Sequence, residues 1–224
     1  YVMTRTQAGS IGGGYRATFQ IPLEKIQFGK KLLFDVKVTN ADGTVFSFND
    51  VHGIQEESSE NYAACTLKPA LMRVAQGSPS VDGEIDEVWK TAETFWLNVN
   101  TGSAECAAKV KVLWDAKKLY VLARVQDGNV STSGKEPYEQ DSLEIYIDED
   151  NAGNVVYGKD DKRYRINAEN AVTCLGAKAS EKNVESVVTK TEEGYLVEAS
   201  FAWTDLSPKV HNLVGFDLRI NDAN

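Results

Sequence analysis

The sequence predicts an all-β protein, an antiparallel β-sandwich or jelly roll. Three observations predict it: short segments in which apolar and polar residues alternate, turn signals of Gly, Asn and Asp about every 8 to 12 residues, and few stretches that keep a helical period for three turns. The clearest strands are 108–114 (AKVKVLW), 118–126 (KLYVLARVQ), 141–148 (DSLEIYID), 162–168 (KRYRINA), 194–203 (GYLVEASFAW) and 214–221 (VGFDLRIN). In 118–126 the period of two puts Leu119, Val121, Ala123 and Val125 on one face. In 141–148 it sends Leu143, Ile145 and Ile147 to the core and leaves Ser142, Glu144, Tyr146 and Asp148 opposite. Before the first of these strands, a turn at Asp82-Gly83 leads to a short helix over 87–92 with Asp86 as its N-cap and Trp89 packing inward. Trp96, Trp114 and Trp203 also sit in or beside apolar segments and read as core.

An internal repeat organises the chain. Residues 14–23 (GYRATFQIPL) align with 194–203 (GYLVEASFAW), and, after a two-residue slip, 34–42 (FDVKVTNAD) aligns with 216–224 (FDLRINDAN). An offset of a whole module length implies a tandem array. Residues 1–70 then form the C-terminal part of one module, and 71–224 the N-terminal three-quarters of the next. Segment 43–70 is the kind of piece that 71–224 lacks. Unpaired strand edges expose backbone donors and acceptors, so the sandwich is expected to be completed by a permuted or swapped segment, in its own chain or in a strand-swapped homodimer. Tyr1 opens in what reads as strand or loop, and both ends are expected to be cut from a longer polypeptide.

Composition narrows the function. The chain has 224 residues, is 42% hydrophobic and so can bury a full core. Its 33 acidic against 24 basic residues give a net charge of -9, which repels nucleic acid and anionic membrane surfaces and suits neutral partners or cations. No apolar run approaches the roughly 18 to 20 residues needed to span a bilayer. Cys65, Cys106 and Cys174 lack zinc-site spacing and read as idle or buried thiols, with one bridge left open. With only His52 and His211, and no motif near either, a Ser-His-Asp or Cys-His machine has little to build on. The run GSIGGG (9–14) lacks the lysine of a phosphate loop and is a turn. Placed so far from a pocket signature, Met3, Met72, His52 and His211 make poor haem ligands.

The ordered series VDGEIDEVW (81–89), AKVKVLWDAKKLYVLARVQD (108–127), PYEQDSLEIYIDEDN (137–151), KRYRIN (162–167) and GYLVEASF (194–201) resembles the family 9 carbohydrate-binding modules. The resemblance covers most of 71–224 and, more weakly, 14–70. It implies a non-catalytic module that targets a xylanase to plant cell-wall polysaccharide, at xylan or cellulose chain ends. The parent protein would be secreted or cell-surface attached and would carry neighbouring modules. The alternative is a structural spacer whose sugar site is degenerate.

The resemblance also implies site residues. Tyr138 stands where the family motif carries Trp, Glu144 falls on the sugar-contacting acid, Arg165 matches a hydroxyl-binding arginine, and Asn221 completes the set. A second aromatic position falls near Asn224. Alternation puts Arg163, Arg165 and Asn167 on one face, so Arg165 is expected to reach outward beside Glu144. The same pair also reads as a surface salt bridge, and Tyr138 as a loop residue packing on the sheet. Structural calcium is the expected cofactor. DEDN (148–151) and KDD (159–161) gather hard oxygen ligands, with Asp148, Asp150, Asn151, Asp160 and Asp161 as the pool, although no EF-hand spacing is present.

Overall fold

Period-two alternation builds almost everything in the computed structural model, which describes residues 5–11, 14–20, 31–50, 52, 54, 57–66, 71–97 and 106–223. Met3, Gly12, Gly13, Ile21, Leu23, the Lys68-Pro69 linker and Asn224 fall outside these residues. The chain divides into two units, Tyr1–Met72 and Arg73–Asn224.

Among the described residues the first unit holds six strands: β1 (Arg5–Ile11), β2 (Gly14–Gln20), β3 (Lys31–Phe34), β4 (Lys37–Thr39), β5 (Val45–Ser47) and β6 (Ala63–Thr66). They pair antiparallel as β1–β2, β3–β6 and β4–β5. Between β3 and β4 the Asp35 carboxylate accepts the amides of Val36, Asn49 and Asp50, at 2.8, 3.0 and 3.1 Å, and so ties the loop after β5 back to its own turn. Leu33, Phe46 and Phe48 are exposed.

The second unit is a sandwich. One sheet runs β14 (Val184–Thr191), β15 (Gly194–Ala202), β10 (Lys118–Gln126), β9 (Ala107–Trp114), β7 (Ala75–Gln76), with β8 (Phe95–Leu97) also pairing β9. The other runs β13 (Val172–Leu175), β12 (Lys162–Asn167), β11 (Ser142–Asp148), β16 (Gly215–Asn221). Only the short β7 is parallel to its neighbour. The six long strands read from the sequence are β9, β10, β11, β12, β15 and β16.

The core lies between the sheets. Leu119, Val121, Ala123 and Val125 of β10 and Leu143, Ile145 and Ile147 of β11 are all buried. Tyr164 of β12 meets Phe201 of β15 with ring centroids 5.0 Å apart. Aromatic and branched residues at alternate positions supply this layer because both sheets turn their apolar faces inward. β15 starts at Gly194, whose φ of +143° and a would-be Cβ only 2.4 Å from the Val125 carbonyl oxygen exclude any other residue. In the repeat, β2 and β15 both start at Gly-Tyr. The second block differs, since β16 is one strand where the first copy is broken into β3 and β4 at Asp35-Val36.

Three expectations are corrected. The helix over 87–92 is a single 3₁₀ segment, Glu87–Thr91, and Asp86 does not cap it with its side chain. The Asp86 carboxylate instead accepts the Ser80 amide at 2.6 Å, and so short a segment cannot repay the cost of starting an α-helix. Trp89 does pack inward, because buried Glu198 accepts its indole N–H at 3.2 Å and also the Asp82 and Gly83 amides at 3.2 and 3.1 Å. Trp96 is not core: it is 55% exposed, because in β8 it stands opposite exposed Lys109 of β9 on the sheet's outer face. Arg165 does face outward beside Glu144, but it is buried there rather than solvent-exposed, as described below. All three cysteines are free thiols, Cys106 buried and the others half-buried.

Candidate functional site

The outward face of the β13–β12–β11–β16 sheet is polar, and its register sets the side chains in rungs. Across β12, β11 and β16 the rungs are Asn167–Ser142–Asn221, Arg165–Glu144–Arg219 and Arg163–Tyr146–Asp217. Each follows from alternation, because the residues between them fill the core.

The middle rung is an ion cluster. Glu144 is fully buried, and one of its oxygens accepts from Arg165 while the other pairs with Arg219 at 2.5 Å and accepts the Tyr146 hydroxyl. Arg165 is itself buried, so the pair is an interior one and not a surface bridge. A charge in this position must be paired, or its desolvation would cost several kcal/mol. Burial raises the Glu144 carboxyl, but the Tyr146 hydrogen bond and the Arg165 and Arg219 charges outweigh it and hold it below its ordinary value of 4.5. Burial and the same carboxylate push the Tyr146 hydroxyl up to about 12. Arg165 Nε is buried without a hydrogen-bond partner among the described residues, one unsatisfied donor of a fixed guanidinium.

The upper rung carries the aromatic residue. Asn221 donates to Ser142 Oγ at 3.0 Å, Ser142 to the Gln140 carbonyl at 3.0 Å, and Asn167 to Gln140 Oε1 at 2.8 Å. Gln140 therefore anchors the 3₁₀ turn Pro137–Glu139, whose Glu136 and Glu139 form a reciprocal capping box. Tyr138 projects from that turn, 60% exposed, so it does not pack down on the sheet. At the lower rung Tyr146, Tyr157 and Phe216 border an open hollow of about 200 Å³. Arg219 and Tyr157 were not read from the sequence. Arg219 was legible, standing two residues before Asn221 on the same strand face; Tyr157 carries no pattern that would single it out.

Acidic groups sit at both ends of β11. At its C-terminal end, carboxylate oxygens of Asp148, Asp160 and Asp161 lie within 4.8 Å of one another. Asp150 is outside that trio. Its carboxylate accepts the Ala152 amide at 2.9 Å, which lowers its pKa, while desolvation and the neighbouring Asp148 and Asp160 raise it on balance. Asn151 is a turn residue with φ of +54°. At the N-terminal end a second trio, Asp127, Asp141 and Asp222, is equally tight, with Asp127 and Asp141 buried. Asp127 Oδ2 has no hydrogen-bond partner among the described residues. Burial, together with the Asp127 and Asp222 charges, raises Asp141. It also pushes the nearby Cys106 thiol up to about 11. Three carboxylates sharing a buried spot with an unbonded oxygen fit a hard divalent cation such as calcium. The sequence signal was positional: each acid stands one residue beyond a strand end.

A β-sandwich with a guanidinium–carboxylate–amide face and an exposed ring on the adjoining turn suits a non-catalytic carbohydrate-binding module. Residues 81–224 match the family described as carbohydrate family 9 binding domain-like, and the chain belongs to that family. Two solved family 9 modules from Caldicellulosiruptor kristjanssonii are similar. The one in complex with cellotriose is 33% identical with a TM-score of 0.65, covering 68% of this chain and 77% of that one. The one in complex with glucose is 34% identical with a TM-score of 0.63, covering 67% and 78%. Endo-1,4-beta-xylanase A of Thermotoga neapolitana is 37% identical over 223 residues, 96% of this chain and 21% of that protein. Exoglucanase XynX of Acetivibrio thermocellus is 34% identical over 220 residues, 94% and 20%. The chain thus spans about a fifth of the length of those enzymes.

The Glu144 cluster has a pH signature. A carboxyl whose folded pKa lies below its unfolded one adds stability that is present above the unfolded value and is lost as pH falls through the folded one. Denaturant unfolding should therefore show stability falling below about pH 4.5. Glu144→Gln should be less stable at neutral pH and flatter across that acid window. An unchanged slope would show that Glu144 is not ionised in the fold.

Proposed function

We propose that this chain binds the ends of plant cell-wall glycan chains, cellulose or xylan, and holds a secreted glycoside hydrolase of the endo-xylanase kind near its substrate. The observation that carries the reading is the Arg165–Glu144–Arg219 rung together with exposed Tyr138 on the turn that leads into β11. Sugars present apolar C–H faces and hydroxyl edges, which call for flat aromatic surface and rigid charged partners respectively. Tyr138 supplies the first, and Arg219 and Asn221, backed by the buried Arg165–Glu144 pair, supply the second. The similar modules solved with cellotriose and glucose, and the xylanases among the relatives, support the same ligand class.

Calcium is proposed as the structural cofactor at two places. Asp148, Asp160 and Asp161 would hold one ion, with Asp150 and Asn151 in the adjoining turn; Asp127, Asp141 and Asp222 would hold another, neutralising charge that burial makes costly. The repeat of 14–42 in 194–224 supports a tandem arrangement in the parent protein. The exposed Leu33, Phe46 and Phe48 of the first unit support contact with a neighbouring module.

A structural spacer is the second reading, favoured by one observation: both Glu144 oxygens are already engaged. Calorimetric titration separates the two. Cellotriose, xylotriose or glucose should bind, and Tyr138→Ala should weaken binding about three- to tenfold, the range of one stacking contact. No heat at millimolar sugar would favour the spacer.

Calcium is tested by thermal unfolding. At calcium about a hundredfold over its dissociation constant the melting temperature should rise roughly 5 to 10 °C, and a chelator should reverse the rise. Asp127→Asn should blunt the response and raise the metal-free stability. A melting curve indifferent to calcium would rule the ions out.

A further inference from the structure

The outer face of the opposite sheet carries two cations that no acid among the described residues pairs with. Register places Trp96, Lys109, Arg124 and Leu196 side by side across β8, β9, β10 and β15. The Lys109 ammonium stands 4.7 Å above the Trp96 ring. Arg124 is exposed, and neither it nor Lys109 forms an ion pair with any acid among the described residues. In a chain with 33 acidic residues, two adjacent cations without a carboxylate are unexpected.

The charged groups around them are spent. Glu87 is paired with Lys90 at 2.6 Å, Asp86 holds the Ser80 amide, and Lys111 donates to the Trp89 carbonyl at 2.7 Å. Between these groups and the rung lies a pocket of about 270 Å³, large enough for one monosaccharide, with buried Leu122 and Leu196 among its apolar lining.

We propose that this pocket is a second binding site, for a hexuronate: a sugar ring carrying a carboxylate, as on acidic plant polysaccharides. The carboxylate would bridge Arg124 and Lys109 in charge-assisted hydrogen bonds, with Trp96 reporting through the Lys109 stacked on it, while the C–H face of the ring rests on Ile85, Leu122 and Leu196. The choice of a sugar acid over other carboxylates rests on the carbohydrate-binding reading above. The site itself is independent of Tyr138 and Glu144, which lie on the other sheet.

The test is an NMR titration of the whole chain with D-glucuronate, following the Trp96 indole N–H, beside parallel titrations with D-glucose, acetate and inorganic phosphate. Glucuronate should shift the Trp96 signal with a dissociation constant on the order of 1 mM, weakening as salt is added. The Lys109→Ala/Arg124→Ala pair, both exposed in the fold, should weaken glucuronate binding at least about tenfold while leaving the melting temperature and the cellotriose affinity unchanged. Arg124→Gln alone should give a smaller loss. No shift, a shift matched by acetate or phosphate, or a shift that survives in the double variant would overturn the proposal. Cellotriose reports on the Tyr138 face and glucuronate on Trp96, so failure of one reading is seen apart from failure of the other.

Discussion

Glu144 is the constraint on which the rest of the binding sheet depends. A carboxylate fully out of water at the middle of a central strand is tolerated only if positive charge meets it on both sides. Arg165 on β12 and Arg219 on β16 do so in the same rung. A register slip of one residue on either neighbour would replace an arginine by Tyr164 or Ile166 on β12, or by Leu218 or Ile220 on β16, and strand the charge. Packing and electrostatics thus select the same alignment, since Ile145 and Leu143 reach the core only in the register that pairs Glu144.

That constraint makes the face rigid. Arg165 is held by burial and by its ion pair, Ser142 and Asn221 by each other, and the Tyr138 turn by Gln140 and its capping box. A hydrogen-bonding surface that is already ordered loses little entropy when a sugar arrives. The two acid trios bracket the same strand, Asp141 before Ser142 and Asp148 as the last residue of β11. Cations there would fasten both ends of the strand that carries the site. The trio at Asp127 also joins the two sheets, because Asp127 follows β10 while Asp141 and Asp222 flank β11 and β16.

Much of this was legible in the sequence for a simple reason. Long strands with one buried face write their period into the chain, as β10 does with Leu119, Val121, Ala123 and Val125. Edge strands do not: β14 alternates poorly because its side chains are mostly half-exposed, and β7 and β8 are too short to show any period. Trp96 misled because size and apolarity say nothing about which side of a sheet a short strand presents. Burial of Arg165 was hidden too, since alternation gives a face and not what covers it. The Asp127, Asp141 and Asp222 trio is scattered over nearly a hundred residues, and only the fold brings its members together.

The most direct test of the account is a crystal structure of the chain with glucose bound. A sugar oxygen should lie about 3 Å from the Arg219 guanidinium, with the ring against Tyr138 and the Glu144 pairs intact. Glucose bound away from the β12–β11–β16 face, with Arg219 untouched, would contradict it.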